Sequence, residues 1–409
     1  MAITKSLNGH VVAVAVAVAV AAGLLAASAA QSAWVNIAHN RLPDSALALD
    51  SDDPVALVRS AQMKLATGQS FGGGADEIAD IARRSVDGLP INAPALRLLG
   101  SSNLAAADVE LVREQMNLSD RMARRDIGSQ LWLIEDAVFR NDIDGALRHY
   151  DTALRISKST RALLYPVLAD AIQDPLIRQR FVPYVQDRPP WLQSFFRHKL
   201  EGSDDSRAMV DLLRRAGGMP QSDDFAPFNT QLLRRLVEQG HYVAATDYFR
   251  SLSNADPALL TSLQLTDQSV SENHAPISWQ PFSVPGIDPF IVASQRGTVE
   301  IESDIERGFS GAFARKLLAL PAGRHALRIS FKAENSGLND FIGLSLTCPG
   351  NTADTVSLLA AERQIEEGFT FQETFVVPKS CPVQMIVLSA RTTTASQDNT
   401  ISLTDARLR

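Results

Sequence analysis

Two cysteines in 409 residues are too few to staple a disulfide-built scaffold or to fill a four-thiolate zinc site. The seven histidines are scattered, with no His-Glu-x-x-His and no paired ligand spacing, so no metal site is legible. A Gly-x-Ser-x-Gly elbow is absent, the nearest string being Gly308-Phe309-Ser310-Gly311. Gly72-Gly73-Gly74 follows no strand and precedes no Gly-Lys-Ser/Thr, so it reads as an interhelix loop and not a phosphate cradle. Glu366-Glu367 beside Gly368 reads as a solvated pair in a loop. These absences predict a non-enzyme with no cofactor and no metal, although catalytic groups that meet only in the fold lie beyond a motif search. Basic side chains are also in deficit, 39 against 46 acidic, for a net charge of −7 without a basic stripe, which argues against a nucleic-acid partner.

What the chain does have is one long apolar run. Val11 to Ala30, VVAVAVAVAVAAGLLAASAA, holds no charged side chain. Made helical, at about 1.5 Å per residue, it spans roughly the 30 Å hydrocarbon core of a bilayer. A lone strand in lipid would leave its backbone groups unpaired, so the Val/Ala alternation is read as helix. Lys5 before it and Ala27-Ser28-Ala29 near its end also fit a cleaved signal peptide. The length of the run favours an uncleaved anchor over that alternative. Lys5 lies before the run, while Arg41 is followed by Asp44, Asp50, Asp52 and Asp53, which places the short tail inside and the bulk of the chain outside. In a bacterial cell this is a single pass through the inner membrane with the remainder in the periplasm. The expected domains are a tail at 1–10, the anchor at 11–30, a linker at 31–50, a helical repeat domain at 51–265, a second linker at 266–276 and a β domain at 277–409.

From 51 to 265 the apolar period is helical, as in Ile78 and Ile81, Val112 and Met116, or Leu131, Ile134 and Val138. Asp53-Pro54, Asp174-Pro175 and Asp256-Pro257 each place a capping acid before a proline at the first helical position. Ser203-Asp204-Asp205 and Ser222-Asp223-Asp224 read as further helix starts, and Arg214-Arg215 before Gly217-Gly218 as a stop. Pro189-Pro190-Trp191, with Phe195 and Phe196, reads as an aromatic core element, with an exposed partner-binding patch as the alternative.

Two stretches repeat at an offset of 98: Ala146 with Ala244, Tyr150 with Tyr248, and Leu154 with Leu252. The Ala-x-x-x-Tyr step resembles the second helix of a tetratricopeptide repeat, and Leu133 occupies an apolar position of that family's first helix. The resemblance covers two clear units and implies a stack of helix pairs that docks protein partners. A generic array of helical hairpins is the alternative.

Beyond residue 276 the period becomes two. Leu327, Ile329 and Phe331 share a phase, as do Leu344, Leu346 and Cys348; Phe369, Phe371 and Phe375; and Cys381, Val383, Met385 and Val387. Separated by turn signals such as Pro321-Ala322-Gly323, these predict an antiparallel β-sandwich or jelly roll. Cys348 ends one strand and Cys381 begins another, so antiparallel pairing would bring them together, and an oxidising compartment would join them. Ser278-Trp279-Gln280-Pro281-Phe282, LLALPAGRHALRISF and NTISLTDARLR resemble the jelly roll of carbohydrate-binding modules, over residues 275 to 409. That resemblance implies glycan contact. Trp279 is the candidate platform, with a core position as its alternative. The expected function is therefore a membrane-anchored scaffold that docks partners on its helices and contacts polysaccharide through its sandwich, with a carbohydrate-binding protein proper or a periplasmic glycan hydrolase as alternatives.

Overall fold

The Val/Ala run is helical, and the helix outlasts the run. In the computed structural model, which describes residues 3–68, 72, 74–104, 108–293, 299–335, 339–350 and 355–409, α1 extends over Ile3–Ala38. Its stretch Val16–Ala38 is long and apolar enough to cross a membrane, and within it only Val35 and Ala38, at the C-terminal end, are buried. Residues 31–50 are consequently not a linker. Val35 and Ala38, one turn apart on α1, pack on Ala46 of α2 (Pro43–Leu47) and Ala56 of α3 (Pro54–Ala66). Gly73 lies outside the described residues, and Gly74 opens α4.

The chain divides into two compact units, Met1–Leu164 and Tyr165–Arg409. In the first, α3 is followed by α4 (Gly74–Gly88), α5 (Ala93–Leu104), α6 (Val109–Met122), α7 (Ile127–Phe139) and α8 (Ile143–Ile156), each packed on the next. Ion pairs tie them sideways: Arg97 of α5 to Asp126, which caps α7, at 2.8 Å, and Arg113 of α6 to Asp136 of α7 at 2.8 Å. Ile134 is buried as its periodicity requires, whereas Val138 points outward.

A ninth helix, α9 (Arg161–Ala171), carries the chain across the boundary. The second unit adds α10 (Pro175–Asp187), α11 (Leu192–Glu201), α12 (Arg207–Ala216), α13 (Ala226–Glu238) and α14 (Tyr242–Arg250). Here α10 packs on α12, α11 on α13 and α12 on α14, the next-but-one contacts of stacked hairpins. Trp191, Phe195 and Phe196 are core residues, in edge-on and tilted contact with Phe181, Phe225 and Phe228. Asp53 and Asp174 cap their helices as expected, but Asp256 caps only a single 3-10 turn. Of the aspartate doublets, Asp205 accepts the backbone N–H of Arg207, the first residue of α12, at 2.9 Å, from a position before the cap residue Ser206. Asp204 accepts from Lys199 and Asp205 from Arg207, while α12 and α13 begin without a side-chain cap.

The β region has β1 (Gln280–Pro281), β2 (Ile287–Ala293), β3 (Val299–Ile305), β4 (Ser310–Leu318), β5 (Gly323–Ala333), β6 (Phe341–Cys348), β7 (Val356–Gln364), β8 (Gly368–Val377), β9 (Gln384–Arg391) and β10 (Asn399–Leu408). They form two antiparallel sheets, ordered β1-β4-β9-β6-β7 and β2-β3-β10-β5-β8, which pack as a β-sandwich. One phase needs correction. In β9 the inward residues are Ile386, Leu388 and Ala390, while Met385 and Val387 pair with outward positions of β4 and β6, because this strand is apolar in both phases. Cys348 and Cys381 are bonded, with Cα atoms 5.7 Å apart, at the end where β6 pairs with β9.

The segment 266–276 is no linker either. Val270, His274 and Ala275 are buried, Ser269 accepts the Trp279 N–H at 2.6 Å, and Pro276 accepts the Leu317 N–H at 2.7 Å. Thr266, Asp267, Gln268, Glu272 and Asn273 are exposed and mask, in the sequence, the residues that pack.

Candidate binding face and clefts

The two outer faces of the sandwich differ in chemistry. On β2-β3-β10-β5-β8 the outward positions are mostly charged or polar: Glu302 opposes Ser402, which opposes Lys332, and Arg407 opposes Arg328, which opposes Gln372, with exposed Phe290 and Val376 on the two edge strands. That is a solvated face.

The outward rows of β4-β9-β6-β7 are of another kind. One row runs Ser310, Arg391, Phe341, Gln364; the next Ala312, Ser389, Gly343, Glu362; the third Arg315, Val387, Ser345, Ala360. Small residues fill the middle. A Cβ on Gly343 would approach the Ser389 Oγ to 2.5 Å, so the floor there is as low as the backbone permits. At one end the Arg391 guanidinium lies 4.7 Å over the Phe341 ring and 3.5 Å from Glu362. At the other, Arg315 lies 5.6 Å from the Phe282 ring centre and donates to Gln280 at 2.8 Å. Burial draws the Arg315 pKa down, against the opposing influence of Glu238 and Tyr242 at the turn between α13 and α14. The helices therefore stand beside this face.

At the disulfide end a cleft of about 790 Å³ separates α14 from the sandwich. Val243, Ala244, Cys348, Pro349, Val356 and Pro382 line it, with Arg207 and His241 as its donors. Asp205 holds both, 2.6 Å from Arg207 and 3.2 Å from His241; the Arg207 hydrogen bond brings the Asp205 pKa down to about 2. A second groove, about 740 Å³, lies among α12, α13 and α14, with Arg214, Asn229, Asp247 and Tyr248 on its walls. Tyr248 donates to Asn229 at 2.7 Å, and burial raises its phenol pKa.

Of the residues singled out in the sequence, Ala146, Tyr150 and Tyr248 are buried, Tyr150 on α8 and Tyr248 on α14. Ala244 is only half-buried and faces the cleft; the fully buried alanine of α14 is its neighbour Ala245. Trp279 offers no glycan platform. It is fully buried, with its indole N–H donating to the Leu263 carbonyl at 3.1 Å. The outer face escaped the sequence reading because its signal is the other phase of β6, the Phe-x-Gly-x-Ser-x-Thr that alternates with the apolar residues. Among the described residues no three histidine, cysteine, aspartate or glutamate side chains come together as metal ligands.

No protein-family model matches the chain. No curated protein matches it. Among solved structures it is similar to TmCBM61 in complex with beta-1,4-galactotriose, at 13% identity over 32% of this chain and 87% of that one, with a TM-score of 0.24. A CBM4 structure is similar at 14% identity, 32% and 86% coverage and a TM-score of 0.25. The CBM22-1 xylan-binding domain of Paenibacillus barcinonensis Xyn10C is similar at 10% identity, 32% and 84% coverage and a TM-score of 0.24.

Proposed function

We propose that the protein is a non-catalytic binding protein, anchored by α1 in the inner membrane of a bacterial cell with its bulk in the periplasm. It holds an extended polysaccharide on the outer face of β4-β9-β6-β7 and docks a protein partner on its helices, as a scaffold in polysaccharide assembly or export. We read those helices as a tetratricopeptide-like stack in which Tyr150 and Tyr248 are packing residues.

One observation carries the glycan reading: the contrast between the two outer faces. A surface meant only for water would carry the charges seen on β3-β10-β5-β8. The other face instead combines a low floor at Gly343, Ser345 and Ser389 with Phe341, Arg391, Glu362 and Gln364 along one end. An aromatic ring offers contact to the C–H face of a sugar, and guanidinium, carboxylate and amide groups supply directional hydrogen bonds to hydroxyls. A disulfide fits an oxidising, extracytoplasmic compartment.

The test is an array of polysaccharides probed with the full chain in lipid nanodiscs. Retention of one glycan class, lost in Phe341→Ala, supports the reading. Retention of none, or equal retention by the variant, removes it.

A further inference from the structure

Helix α1 does not end in a flexible stalk. Gln31 donates its amide to the Leu49 carbonyl at 2.7 Å, folding the segment after α2 back alongside the helix. The buried contacts of Val35 and Ala38 with Ala46 and Ala56 fix that fold. Yet four large apolar side chains in this compact junction stay uncovered: Trp34 is 48% exposed, Ile37 72%, Leu42 53% and Leu49 47%.

Their levels along the helix are set by arithmetic. If Val11 to Ala30 fills the hydrocarbon, Gln31 marks its edge, and Leu49 lies at the same level. Trp34 stands about 5 Å beyond and Ile37 about 9 Å beyond, at about 1.5 Å per residue. The headgroup layer is roughly 5–8 Å thick on each side. Trp34 therefore starts within that layer and Ile37 at its outer edge, and because side chains on a helix lean toward its N-terminus, the Ile37 side chain reaches back into it.

We infer that Trp34, Ile37 and Leu49 form a collar seated in the phospholipid headgroup layer of the leaflet from which α1 emerges. The inference rests on the proposed anchoring by α1. Continuity with the spanning helix selects lipid as the occupant: no other partner must be present wherever this helix is inserted. Tryptophan suits the place, with an apolar ring for the acyl boundary and an N–H for the polar side.

The experiment places the full chain in phosphatidylcholine vesicles whose acyl chains are brominated either near the headgroup or near the methyl end. The Trp34 signal is the difference between wild type and Trp34→Phe; the half-buried Trp132 and the buried Trp191 and Trp279 are common to both. It should be quenched, more strongly by the shallow bromines. An environment-sensitive label on Leu49→Cys, where Cys348 and Cys381 are already bonded, should report an apolar setting in vesicles. Loss of neither signal's intensity to bromine, in a chain whose intact mass retains α1, overturns the collar and leaves the anchor standing. A mature chain that begins near Ala30 overturns the anchor and the collar with it. Self-quenching between two labels at position 49 without any bromine effect assigns the patch to a second copy and overturns the lipid assignment.

Discussion

Lys316 sits inside the sandwich and donates from its side-chain nitrogen to the Ile277 carbonyl, 2.5 Å away. Its strand partner Ile386 shares that interior. A primary amine in such a place is costly when charged, and burial brings its pKa from 10.5 down to about 7.

The pH dependence follows. Because the folded value lies below the unfolded one, the unfolded chain holds the extra proton between about pH 7 and 10.5. Stability therefore rises with pH across that window and is lowest below it. Lys316→Met removes the titrating amine, so wild type should gain on the variant by a few kcal/mol, in order of magnitude, between pH 7 and pH 10. Thermal melts of both proteins at the two pH values measure the change in their gap. A constant gap refutes the assignment.

In the helices of the second unit, Asp211 of α12 accepts from Arg178 of α10 at 3.1 Å and from Arg215 at 2.8 Å. Burial opposes its ionisation, but these guanidinium groups and Arg214 prevail and hold its pKa at about 2. The stabilisation is complete above the ordinary carboxylate value of 3.8 and is lost as pH falls through about 2. Asp211→Asn should cost about 1–3 kcal/mol at neutral pH, less in acid, by denaturant titration.

The disulfide closes a loop with a sequence separation of 33. On chain-entropy grounds, replacing both Cys348 and Cys381 by alanine should destabilise the fold by about 4 kcal/mol. Melting with and without reductant checks it: the variant should melt lower and ignore the reductant.

On the outer face, Arg391→Lys keeps the charge and discards the planar stack on Phe341. If that stack orders the glycan end of the face, polysaccharide retention falls about tenfold, or about 1.4 kcal/mol, in Lys as in Ala variants. Affinity electrophoresis distinguishes this from a pure charge effect, in which lysine would bind like wild type.

The helical and β halves were legible because their periods, near 3.6 and 2, are imposed by burial on one side. Strand β9 resisted because Met385 and Val387 are as apolar as Ile386 and Leu388, so alternation carries no sign of which side is inward. The aspartate doublets marked helix starts but not the whole of their role: a carboxylate suits a helix start and a nearby cation equally well, and Asp205 serves both, while Asp204 binds Lys199. The proposed binding face was hidden because glycine, serine and alanine, the residues that make a floor low, are also those of ordinary solvent-facing strands.

Leu260 accepts the Ala319 N–H at 2.7 Å, Leu263 accepts the Trp279 indole, and Ser269 accepts the Trp279 backbone. A protease nick or gene fusion placed at the change of periodicity would strip the sheet of three partners it borrows from upstream. The sandwich cannot then be exchanged between proteins as a cassette beginning at residue 277; the smallest heritable piece that keeps its seams closed starts before Leu260.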